Sequence, residues 1–62
     1  MQRLTRLKEH RQRRMLTQEE LAVLSGVPRP TIGALETTDR RATPLTTRRL
    51  AKALKVRPDD LH

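Results

Sequence analysis

The run TQEELAVLSGVPRPTIGALE, from Thr17 to Glu36, divides into two short helical patterns with a break between them. Leu21, Ala22 and Leu24 give the first pattern an apolar stripe at helical spacing, and Ile32 and Leu35 give the second one. Ser25-Gly26-Val27-Pro28 interrupts the periodicity. Gly26 suits the left-handed backbone that closes a helix, and Pro28 forbids simple continuation. Ala22 stands where two helices crossing within one turn need a small side chain. The spacing predicts a pair of helices meeting at a tight turn.

The start of this run is equally well marked. Thr17-Gln18-Glu19-Glu20 is a capping box, in which the Thr17 hydroxyl accepts from the Glu20 amide and Glu20 reaches back. Glu19 and Glu20 also suit the positive end of the helix dipole.

Composition narrows the partner. The chain has 62 residues, 14 of them Lys or Arg against seven Asp and Glu, for a net charge of +7. Such a density points to a polyanion, either nucleic acid or an anionic membrane surface. No apolar run approaches the roughly 20 residues of a membrane span, and the basic N-terminus lacks the apolar core of a secretion signal. A soluble cytoplasmic protein is expected. Cysteine is absent, which removes disulfides and thiolate metal sites. Phe, Tyr and Trp are absent too, so the core must be aliphatic. A chain this short buries only about 60% of its unfolded surface, so its stability is expected to be marginal.

Leu16–Ala22 (LTQEELA) and Gly26–Glu36 (GVPRPTIGALE) together resemble the helix-turn-helix signatures of the phage repressor and Cro family, the XRE-type bacterial regulators. With its flanks the likeness covers nearly the whole chain. It implies an all-α fold, a compact five-helix bundle forming one DNA-binding domain over residues 1–62, with the helix-turn-helix core at 17–37. It further implies a transcriptional regulator, a repressor, that binds double-stranded operator DNA as a weak homodimer and associates with the nucleoid when bound. The chain departs from the pattern in four places. Met15 replaces the usual Gly, Pro28 replaces a capping Ser, Pro30 replaces a polar reader, and His10 stands where an aliphatic residue is commoner.

The remaining elements follow from periodicity and punctuation. Gln2 to about Arg14 reads as the first helix, with Leu4, Leu7 and Arg11 on one face. His10 lies beside that stripe and reads as a partly buried imidazole bonded to backbone. A left-handed Met15 is costly, so this helix should end less cleanly. The third helix should run from near Pro28 to near Thr37. A fourth, capped by Thr43 and starting near Pro44, carries Thr47, Leu50, Ala51 and Leu54 at spacings of three to four. Pro58 to Leu61 resembles the family's last short helix. With no further oligomerisation segment, a dimer contact is expected around Leu54, Val56 and Leu61.

Site residues divide by role. Arg29 is the strongest candidate for reading a base, because its planar fork matches O6 and N7 of guanine in the major groove. Thr31, Gly33, Ala34 and Thr37 are weaker candidates. Gly33 costs about 0.8–1.0 kcal/mol against Ala inside a helix, which makes sense where a backbone must approach something closely. The resemblance places Gln18 against a phosphate, with Thr17 at the same helix start. Arg40 and Arg41, just past the third helix, suit a flanking phosphate or the minor groove. Any single arginine among these could equally be a solvated charge. Through the same resemblance, Arg11 and Glu36 form a structural ion pair joining the first and third helices.

Catalysis has no support, and no cofactor or metal is expected. Glu19–Glu20 and Asp59–Asp60 are sequence neighbours that diverge by about 100° on a helix, and no nucleophile–base set accompanies them. Two other readings use the same fold. One is an antitoxin-type regulator that also grips a partner protein; the other is a protein-interaction module with weak DNA affinity.

Overall fold

A computed structural model describes residues 1–62. In order, the elements are α1 (Leu7–Arg13), α2 (Gln18–Ser25), α3 (Arg29–Thr37), α4 (Pro44–Leu54) and a 3-10 turn (Pro58–Leu61). The fold is all-α, but with four α-helices rather than five. The last expected helix is a single tight turn closed by Asp60 N donating to Arg57 O at 2.9 Å. Four residues starting on a proline are too few for a stable α-helical turn.

The first helix is also shorter than its apolar pattern predicts. Gln2 is drawn into an isolated antiparallel bridge with Ala42, so the backbone ahead of α1 is not helical. Leu4 keeps its inward place all the same, at 2% exposure. Amphipathic spacing registered the burial correctly and the backbone wrongly.

Each helix end has a local cause. The Thr17 capping box forms in full, with Glu20 N donating to Thr17 Oγ1 at 3.0 Å and Thr17 N donating to Glu20 Oε1 at 2.8 Å. Gly26 closes α2 at φ 74°. Pro28 precedes α3 without a side-chain cap, as the loss of a serine there predicts. Thr43 caps α4 by accepting from Thr46 N at 3.2 Å. Met15 and Lys55 close α1 and α4 in the left-handed region, at φ 56° and 57°. In both cases the next amide reaches back five residues, Leu16 N to Arg11 O and Val56 N to Ala51 O, which is the bond pattern of a Schellman cap without its glycine.

Leu7, Leu21, Ile32, Leu50, Leu54 and Leu61 are fully buried, and Leu4, Val27, Leu35, Ala42 and Ala51 complete the aliphatic core. Ala22, half-buried, packs against it. Three details depart from the sequence reading. Leu24 points outward and the turn residue Val27 supplies the burial instead. Leu54 and Leu61 lie inside the monomer, leaving only Val56 of the expected dimer surface even partly accessible. His10 is buried, yet its Nε2 has no hydrogen-bond partner.

Candidate nucleic-acid interface

The interface is built on a buried polar joint. Arg11 on α1 donates from Nε to Glu36 Oε2 at 2.7 Å and from Nη2 to Glu36 Oε1 at 3.0 Å. Its Nη1 donates to the carbonyl of Leu16 at 2.7 Å. Gln18 Nε2 donates to the same Glu36 Oε1 at 3.1 Å. One carboxylate at the end of α3 is thereby held by α1 and by the first residue of α2. The Glu36 side chain is only 1% exposed, so its charge depends on these donors. The hydrogen bonds to Glu36 outweigh burial and raise the Arg11 guanidinium above its ordinary range.

This joint changes what Gln18 has to offer. One of its two amide hydrogens is already given to Glu36. The other remains, alongside backbone amides at the start of α2 that lack intrahelical acceptors. Gly33 faces the same side chain: a β-carbon there would lie 3.7 Å from Gln18 Oε1 and 3.9 Å from Nε2. Those are ordinary contacts, so nothing within the chain demands a glycine at this position.

Along α3, Arg29 and Thr37 are exposed, and Thr31, Gly33 and Ala34 are half-exposed. Thr37 Oγ1 donates to Gly33 O at 2.7 Å, which leaves its lone pairs available to a donor. Arg29, Arg40 and Arg41 take part in no ion pair, whereas Arg3, Arg6, Arg11 and Arg13 do. Away from this surface, Glu9 is held below the usual carboxylate range, chiefly by its hydrogen bond from Arg6 and then by the charges of Arg6, Arg13 and His10.

Thr31, Arg40 and Arg41 share one groove of about 250 Å³ with Thr43 and Thr46. The structure therefore joins the outer face of α3 to the connection and to the start of α4. Thr43 and Thr46 were not among the expected contact residues. Their signal in the sequence was the α4 cap, which marks a helix start but does not say what it faces. Arg29 lines no groove and stands alone at the N-terminal end of α3. The acidic pairs have local work: Glu20 closes the capping box, and Asp60 accepts from Arg57 N at 3.0 Å.

A capped helix, a glycine-closed turn and a second helix with an acid-free outer face define a helix-turn-helix unit. The helix-turn-helix family model matches residues 7–61, and the chain belongs to that family, in its XRE-type branch. Its structure is similar to that of the restriction-modification controller protein C.AhdI from Aeromonas hydrophila, with a TM-score of 0.86 and 38% sequence identity over 92% of this chain and 86% of that one. No curated protein matches the chain. The chain is thus a DNA-binding transcriptional regulator. No helix in it is long and apolar enough to cross a membrane.

Proposed function

We propose that this domain, residues 1–62, acts as a cytoplasmic repressor that reads operator DNA with α3 in the major groove. The observation that carries the reading is the placement of Arg29. It is exposed at the first residue of α3, free of any carboxylate, on the helix end that enters the groove in this motif. Thr31, Gly33, Ala34 and Thr37, exposed or half-exposed further along the same helix, offer short side chains suited to thymine methyls and to DNA shape. Thr17, Gln18, Arg40 and Arg41 flank it and supply phosphate contacts, which set register before any base is read. The likeness to a controller protein makes restriction-modification genes the first place to seek an operator.

The domain binds as a weak homodimer that forms fully on DNA, its two α3 helices about 34 Å apart, one duplex turn. A binding-site selection followed by footprinting tests this. A pseudo-palindrome with two protected half-sites and a steep fall of affinity with salt is expected. One unrepeated half-site at saturation contradicts the dimer, and salt-independent binding contradicts the DNA reading.

A specific observation favours a protein partner as a second reading. Val23 and Leu24, at 80% and 60% exposure, flank a shallow groove of about 370 Å³ with Leu16 and the carboxylates Glu19 and Glu20. An antitoxin-type regulator would cover such a surface, and stoichiometric co-purification of a second small protein would support it.

A further inference from the structure

The connection from α3 to α4 carries Arg40 and Arg41 and is tied down on either side of them. Thr38 Oγ1 donates to Ala34 O at 2.6 Å and accepts from Arg40 N at 3.1 Å. Ala42 exchanges both backbone hydrogen bonds with Gln2, at 3.0 and 2.8 Å. The segment before α1 thus lies along the connection as a single rung of antiparallel ladder. Beside that rung, Arg3 Nη2 meets Asp39 Oδ1 at 2.8 Å. The two side chains are 50% and 89% exposed, so their pairing adds little to folding stability.

Its location matters more than its strength. Asp39 is the only carboxylate between Thr37 and Pro44, and it immediately precedes the two free arginines. A bare carboxylate at that point opposes the approach of a phosphate chain. Paired with Arg3, it presents no net charge. We infer that Arg3 is a positioning residue for DNA binding: it acts through Asp39, neutralising that carboxylate so that Arg40 and Arg41 meet the phosphodiester backbone unopposed. This deepens the DNA-binding reading and rests on it. Arg3 itself need not touch the duplex.

A double-mutant cycle isolates the effect. Wild type, Arg3→Ala, Asp39→Asn and the double variant are titrated against one selected duplex at low and moderate salt, with Arg3→Lys as the conservative control and melting temperatures recorded throughout. Arg3→Ala should weaken binding about three- to tenfold at low salt, the effect of one uncompensated charge at close range in water. Asp39→Asn should bind at least as tightly as wild type, and the double variant should bind like Asp39→Asn. Arg3→Lys should restore most of the loss, with melting temperatures nearly unchanged. If Arg3→Ala loses the same factor with or without Asp39, Arg3 is an independent phosphate contact and the inference is overturned. An unchanged Arg3→Ala affinity also overturns it. Wild type failing to bind duplex in a salt-dependent way would remove the DNA reading itself, an outcome distinct from an additive cycle.

Discussion

Glu36 is a charged side chain held almost wholly out of solvent. Its carboxylate is all but inaccessible and accepts from Arg11 twice and from Gln18 once. Glu36→Ala should destabilise the domain by about 3 kcal/mol or more, because a buried guanidinium is left uncompensated. Replacing both partners with apolar residues should cost less, and denaturant unfolding of the single and double variants compares them. A Glu36→Ala melting point within a degree of wild type would mean that the joint carries no such energy. Gly33 makes the opposite case. An added β-carbon meets Gln18 only at ordinary contact distance, so Gly33→Ala should stabilise the free protein by about 0.4–1 kcal/mol through helix propensity alone. If the glycine exists to admit DNA, the same variant should bind its operator more weakly while melting higher; a variant that melts higher and binds unchanged would remove Gly33 from the interface. At this scale the Arg11–Glu36 pairing was legible only through family resemblance, since residues 25 apart share no local pattern. The diversion of Gln18 toward Glu36, and the unpartnered Nε2 of His10, depend on tertiary packing that no spacing encodes.

Among the elements, α2 and α3 were legible because several local signals agreed. The capping box marks the start of α2, Gly26 its end and Pro28 the start of α3. The chain before α1 misled, because Leu4 and Leu7 fall three apart, a spacing that an extended segment feeding a helix can also bury. What decided that backbone was a non-local bridge to Ala42, invisible to any window of local sequence. Exposure of Leu24 has a similar origin: α2 turns only part of its apolar stripe inward, and Val27 fills the space below the turn. The left-handed end of α1 carries a measurable consequence. Met15 is 90% exposed and makes little contact to lose, so Met15→Gly should relieve the strain of a left-handed side chain. A gain of about 1 kcal/mol is expected, raising the melting temperature by about 4–8 °C in a domain of this size. A decrease would show that glycine's added freedom in the unfolded chain outweighs the relieved strain.

The whole molecule is a small aliphatic core wearing a strongly basic coat. Its eleven buried hydrophobic side chains include Leu54 and Leu61, both leucines of the expected dimer surface. The side proposed to meet DNA has the Arg11–Glu36–Gln18 joint behind α3 and the tied connection beside it. Base reading is therefore expected to rest on one long side chain, with anchors around it, and that claim is the centre of the account. The most direct measurement compares Arg29→Ala with Arg41→Ala on cognate and single-base-mismatched duplexes at two salt concentrations. Arg41 is the better comparator than Gln18, whose removal would also disturb Glu36. Arg29→Ala should cost about 1–3 kcal/mol on the cognate site and relax preference at one base pair. Arg41→Ala should weaken every duplex alike and flatten the salt dependence by about one unit. An even loss for Arg29→Ala, with discrimination against every mismatch intact, would contradict the account and move base reading to Thr31, Ala34 and DNA shape.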